Sequence, residues 1–257
     1  MALTAPSREA LDFATRVAIA YAKLLASGRA DPESGLGGRL FYAGALDEKG
    51  RSLVVAANIA GAATLAASPD RAAQKQAIRD GVADFLVNSL DEALRILKNQ
   101  LRKREAVAVS VAIEPAQMER EMNERGVAPD LVRSYIAIAS EDERPASGGA
   151  ELAQTPTLVI WRAGSARHQD LALLDQIAIE CVDPYDWAAR RWLRLAPRYL
   201  GRMAQGLRLL PADREFAARF EQLLAARAAR GEIAFPCEIR SYIRGTDNKY
   251  SFESEKL

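Results

Sequence analysis

The segment "AVAVSVAI" at residues 106–113 limits the fold of this chain more than any other stretch. It is a nearly continuous apolar, β-branched run with no polar face, as expected of a strand buried on both sides in a parallel sheet. Its surroundings have the matching period. Upstream lie the strand "LFYA" (40–43), a turn and an alanine-rich helix read over Leu53–Leu65. A helix N-capped by Ser68 with Pro69 in its first turn then runs to Asp80, with Gly81 as its stop. A short strand at Ala83–Val87 precedes a helix opened by the capping box Ser89-Leu-Asp-Glu92 and reaching Arg104. Downstream, Pro115 opens a helix ending at Gly126, and "LVRSYIAIA" (131–139) supplies the next strand. Strands alternating with helices at these spacings call for crossover connections and a mostly parallel, doubly wound α/β sheet of Rossmann type. A first helix over Ser7–Ser27, with Leu11, Ala14, Ala18, Tyr21 and Leu25 on one face, precedes this core.

The remainder reads as a polar linker followed by a helical extension. Residues 1–140 form the expected core and 141–156 the Gly/Pro-punctuated linker. Residues 157–245 continue as elements packed on the core, and 246–257 as a flexible tail. In the extension, "TLVIWRA" (157–163) is a strand, and a helix holding Leu171, Leu174, Ile177 and Ala178 follows. A long amphipathic helix starts at Asp183 and ends or kinks at Pro197, and a last helix over Ala212–Ala229 precedes the strand "IAFPCEI" (233–239).

Bulk properties narrow the partners. With 35 Lys plus Arg against 34 Asp plus Glu, no global field draws nucleic acid or an anionic membrane. Two cysteines make no disulfide framework and fit a reducing, cytoplasmic setting, and no apolar run is long enough to span a bilayer. With His168 alone, placed in a polar and exposed loop, a histidine-based metal site has no material, and none is expected. The arginines Arg190, Arg191, Arg194 and Arg198 interleave with Trp187, Trp192 and Tyr199. Leu193, Leu195 and Leu200 make that pattern an amphipathic surface helix. The basic run Lys98–Arg104 complements a helix C-terminus.

Several patches together carry a family resemblance: "GRLFYAG…AANIAGAATL", "SLDEALRIL", "REAVAVSVAI", and Arg125-Gly-Val-Ala-Pro-Asp130. These resemble the central nucleotide-binding domain of urocanase, urocanate hydratase, over roughly residues 10–140. A weaker likeness at 180–240 rests on "CVDPYDWAARRWLRLAPRYL". The family's proteins are longer, and their terminal catalytic segments find no counterpart in this sequence. The resemblance implies a Rossmann-like fold and a bound NAD that adds covalently to urocanate in histidine degradation, which is carbon–oxygen lyase chemistry.

Carried over residue by residue, the family's cofactor positions fall on Gly44, Gly50, Ser52 and Asp70, and its reactive cysteine falls on Cys181. The glycine loop A-G-L-G-G-M-G-G keeps only its end glycines, Gly44 and Gly50. Asp47 and Glu48 then stand where the pyrophosphate would lie, with Lys49 and Arg51 as partial compensation. G-N-A-A falls on Ile113-Glu-Pro-Ala116, and Q-T-S-A-H on Tyr135-Ile-Ala-Ile-Ala139. A carboxylate at about 4 Å repels a unit negative charge by roughly 4 kcal/mol at an effective dielectric near 20, so NAD is expected to be absent. Cys181 reads as a small buried residue before a helix cap, because Asp183 and Asp186 oppose a thiolate, and Cys237 as packing.

The expectation is a urocanase-like protein that keeps the nucleotide-binding scaffold without hydratase activity. It would serve as a binder of a nucleotide or small molecule, or as a partner subunit, and form a homo-oligomer, most simply a dimer. The alternatives are a divergent short urocanate hydratase that still uses NAD and Cys181, and a scaffold retained only for oligomerisation.

Overall fold

The computed structural model describes residues 7–136, 157–164, 168–200, 203–204, 206–244 and 250–253. The linker expected at 140–156, the last residues of the strand expected at 131–139 and the side chain of His168 lie outside the described residues. The chain divides into two compact bodies. One comprises residues 12–138 with 195–205, and the other residues 1–11, 139–194 and 206–257.

The first body is a five-stranded, wholly parallel sheet with spatial order β3-β4-β2-β1-β5. Its strands are β1 (Leu40–Ala45), β2 (Ala63–Ala67), β3 (Phe85–Val87), β4 (Val107–Val111) and β5 (Leu131–Val132). Between them run α2 (Glu48–Ala60), α3 (Arg71–Arg79), α4 (Leu90–Lys103) and α5 (Pro115–Glu124), with α1 (Arg8–Ser27) ahead of the sheet. β4 lies between two parallel neighbours and is buried at every position, as its unbroken apolar run requires.

Period-two alternation decides what each face holds. Leu40, Tyr42, Leu65, Val107, Val109 and Val111 pack with Leu90, Ala93 and Leu97 of α4 and Met118 and Met122 of α5. Thr64, Ala66 and Ser110 alternate to the opposite face, where Gln74 of α3 donates a hydrogen bond to Ser110 Oγ at 3.1 Å. Helices thus cover both faces, which is the doubly wound arrangement.

Several element boundaries differ from the sequence reading. The alanine-rich segment is not one helix. α2 starts at Glu48, and Gly61, at φ +99°, ends it. The following "ATLAA" is the central strand β2, buried throughout. Alanine favours helix over strand, so propensity misleads here; the left-handed glycine provides the break, and burial between neighbouring strands overrides the preference. α3 is capped by Asp70, whose Oδ1 accepts from Ala72 N at 2.7 Å, and not by Ser68. Ser68 N is engaged by Val111 O, which prolongs the ladder of β2. The strand expected at 131–139 is only two residues long before a 3-10 turn over Arg133–Ile136. The Ser89 capping box holds, with Ser89 Oγ accepting from Glu92 N.

The second body holds the expected helices and, in addition, a four-stranded antiparallel sheet of order β7-β6-β8-β9. Its strands are β6 (Thr157–Ala163), β7 (Arg208–Ala212), β8 (Cys237–Arg244) and β9 (Tyr250–Glu253), and its helices are α6 (His168–Cys181), α8 (Arg214–Ala229) and the part of α7 (Trp187–Leu200) up to Arg194. β9 pairs along β8, which corrects the expected frayed tail at those residues. β7 was not legible because Pro211 lies within it, and proline is tolerated there on an edge strand. α7 begins at Trp187, later than expected. Asp183 first makes a turn with Tyr185 N, and Asp186 Oδ1 accepts from Ala189 N at 2.9 Å. His168 is the first residue of α6, not part of a loop. The core of this body is fixed by a polar triad. Trp161 Nε1 donates to Asp175 at 3.0 Å, and Arg208 pairs with the same carboxylate at 2.8 Å with both side chains largely buried. The Trp161 ring meets Phe220 edge-on.

Among the described residues no helix is long and apolar enough to cross a membrane.

Candidate functional site

In a doubly wound sheet the ligand crevice lies beyond the strand C-termini, where the chain's progression reverses. Here α2 carries the chain from β1 to β2 on one side, and α5 later carries it to β5 on the other side of β1. The reversal therefore falls between β1 and β5. The turn after β1, at Gly44–Gly50, is the place to examine.

Gly44, the penultimate residue of β1, is in the left-handed region, at φ +71°, at a register shift in the β1–β2 pairing. Only glycine adopts that conformation readily, so this residue sets the exit of the chain. The turn itself is brief. Leu46 N is bound by Ala67 O at 3.0 Å, Asp47 is the N-cap, and α2 is already helical at Glu48. Gly50 therefore stands in the first turn of the helix and not in an open loop. A Cβ added there would overlap the Ala45 carbonyl oxygen. Gly50 thus fills the role of a glycine that lets a helix approach its strand closely.

One amide at the positive end of α2 is already engaged. Asp47 Oδ1 accepts from Gly50 N at 2.6 Å, placing a carboxylate where an external anion would take the same amide. Arg133, at the C-terminal end of β5, closes over it. Its Nη2 donates to Asp47 Oδ2 at 3.0 Å and its Nη1 to the Ala45 carbonyl at 3.2 Å. The Arg133 side chain also covers Gly44, since a Cβ built on that glycine would meet Arg133 Cδ at 3.3 Å. Two more charges of the turn are paired, while Lys49 is exposed. Arg16 holds Glu48 at 2.7 Å, and Arg51 pairs with Asp80, so the compensation expected from Arg51 goes elsewhere.

Residues 17–138 match the family model of the urocanase Rossmann-like domain. The chain carries a urocanase-family core domain. Within this urocanase-like core, the four carried-over cofactor positions have structural partners. Gly44 lies under Arg133, and Gly50 packs on β1. Ser52 is fully buried and its hydroxyl bonds the Glu48 carbonyl one turn back, at 3.2 Å. Asp70 caps α3. These positions surround one end of the sheet. In this turn an internal carboxylate holds the Gly50 amide and the Arg133 side chain lies over the open side of Gly44.

Cys181 lies in the second body, at the C-terminal end of α6, and is buried. Burial pushes its thiol above the ordinary range, with Arg219 opposing and Glu180 reinforcing the rise. That environment favours the neutral thiol over the nucleophilic thiolate. Cys237 is half-buried on β8 and is raised by burial too. Among the described residues no group of three His, Cys, Asp or Glu side chains could hold a metal ion.

Tyr42 is a further ionisable group near this end of the sheet. Its hydroxyl donates to Pro115 O at 3.3 Å, and burial pushes the phenol well above its usual range. It is a neutral packing residue that ties β1 to the start of α5.

Sequence reasoning missed Arg133, the residue that decides the site. One signal was present: a cation inside the otherwise apolar "LVRSYI", where a buried strand has no use for a charge.

Proposed function

We propose that this urocanase-like protein keeps the dinucleotide-binding scaffold without urocanate hydratase activity, and works by binding a small ligand or as a partner subunit. One observation carries the reading: the Asp47 carboxylate caps α2 and is clamped by Arg133 across Gly44. To admit a pyrophosphate, both the cap and the ion pair would have to break, and two carboxylates, Asp47 and Glu48, would face the incoming anion. The neutral, buried thiol of Cys181 supports the same reading against the divergent hydratase.

The test is thermal unfolding with NAD. A ligand at a hundredfold excess over its Kd stabilises the fold by about 2.7 kcal/mol, an easily read shift. No saturable rise in Tm is expected at millimolar NAD. A rise of several degrees, diminished by Gly44→Val, would show a working cradle and overturn the reading. So would urocanate turnover with added NAD that Cys181→Ser abolishes.

A further inference from the structure

At the opposite end of β1 the chain builds a different kind of place. The loop from Arg29 to Arg39 folds between the ends of α1 and α4 and borders a polar cavity of about 290 Å³. Arg29, Arg39 and Arg104 line it together with Asp31, Gly37 and Gly38. Arg39 is engaged by Asp130 at 2.9 Å. Among the described residues, the Arg29 and Arg104 guanidinium groups make no hydrogen bond or ion pair, although the Arg104 charge is felt by Asp31 and its backbone N–H donates to Leu101 O.

The backbone singles out the same two arginines. Of the described residues other than glycine, only Arg29 and Arg104 have positive φ, at +49° and +58°. Both follow helix C-termini, where glycine is the unstrained choice. The other helix ends of this body use it: Gly61, Gly81 and Gly126 all sit in the left-handed region. The two exceptions are both arginines, and both face one cavity. Strained backbone at a concave polar site points to a role for the side chains it carries.

The cavity floor is organised to match. Asp31 accepts from Ser34 N at 2.8 Å, Ser34 Oγ at 2.6 Å and Glu33 N at 3.0 Å, so its carboxylate is used internally and its pKa lies below the ordinary value. Gly37 packs on the backbone of Arg104, where a Cβ would come within 2.8 Å of the Arg104 carbonyl oxygen. Gly38 leaves room for the Arg104 side chain to run alongside it, with Cγ 3.5 Å from the position a Cβ would take.

We propose that this cavity binds a phosphate group carried by a small polar molecule, a phosphate monoester, through Arg29 and Arg104. Two guanidinium groups with free donors suit a dianionic phosphate. The cavity is roomier than a bare phosphate needs and has only Leu101 as an apolar lining residue, which favours a polar ester. A competing account makes the two arginines mere complements to the negative ends of α1 and α4. The two accounts separate cleanly, because charges kept for the helix ends would be missed in stability, and charges kept for a ligand would be missed in binding.

The experiment is an amide NMR titration of the full chain at fixed ionic strength, with inorganic phosphate and ribose 5-phosphate as probes and chloride as control. Saturable shifts are expected at Gly37 and Gly38, tighter for the ester, with no response to chloride. Arg29→Gly and Arg104→Gly, which suit the left-handed backbone, should each weaken binding at least tenfold while Tm stays level or rises. Absence of saturable shifts, equal affinity in the variants, or a lowered Tm with unchanged binding would overturn the assignment. Shifts centred on Gly44 and Gly50 would also overturn it, and would place the phosphate at the turn that the proposed function holds closed.

Discussion

The two ends of β1 carry similar ingredients and treat them oppositely. Beyond the C-terminal end, glycines, carboxylates and arginines neutralise one another: Asp47 with Gly50 and Arg133, Glu48 with Arg16, Arg51 with Asp80. Beyond the N-terminal end, Asp31 is satisfied within its own loop, and two arginines are left facing a cavity on left-handed backbone. Internal pairing of this kind stabilises a turn and removes the donors that a ligand would need. Unpaired charge on strained backbone has the reverse signature. The inherited position of a site and its chemical readiness are thus separable, and here they lie at different ends of the sheet.

The largest effect that could sharpen this contrast is at Gly50. In an ordinary first helical turn Gly→Ala is favourable, yet here the new Cβ meets the Ala45 carbonyl oxygen. Gly50→Ala is expected to cost about 3 kcal/mol, read from the urea midpoint at constant m-value. A neutral or stabilising result would mean that the turn is open, as a working cradle would be.

Next is Asp47→Ala. Losing the cap costs about 1 kcal/mol, and losing the half-exposed pair with Arg133 adds less than about 1 kcal/mol. Urea unfolding should show a loss of about 1–2 kcal/mol. No loss would remove the claim that the carboxylate completes this turn.

At the other end the sign reverses. Arg104→Gly relieves the left-handed strain, partly offset by the greater freedom of glycine in the unfolded chain. A gain of up to about 1 kcal/mol is expected in the same measurement. A clear loss would make Arg104 a structural cap, and the two ends of the strand would then be alike.

The smallest effect is the titration of Asp31. Its folded pKa is lowered, chiefly by the Ser34 hydroxyl and the Ser34 amide, so its contribution is present above the ordinary aspartate value and lost as pH falls through the lower folded value. Carboxyl-carbon NMR should give a midpoint below 3.8. Ser34→Ala should raise it clearly and Arg104→Gly slightly, following the order of the causes.

Much of the parallel core was legible because its signals are local. The β-branched run at 106–113 has no other comfortable home, and Ser89 with Glu92 announces a helix start at one short spacing. Where residues are locally ambivalent the reading failed. "AANIAGAATLAA" is alanine on both sides of Gly61, and only the left-handed turn at that glycine separates helix from strand. The antiparallel sheet of the second body was half hidden, since the pairing of β6 with β7 and with β8 links residues far apart in sequence.

The sequence by itself determined the fold class, the family likeness of the core and the suspicion that too few glycines remained after β1. These depend on periodicity, caps and residue types, which act over a few residues. The tertiary structure decided what the turn after β1 can do, because the deciding group, Arg133, lies 86 positions from Asp47 and reaches it only when β5 pairs beside β1. It also decided that Arg29 and Arg104 share a cavity, since each residue's φ and the meeting of two helix ends are consequences of packing. Spacing along the chain carries no record of which charges will find partners; burial and strand order do.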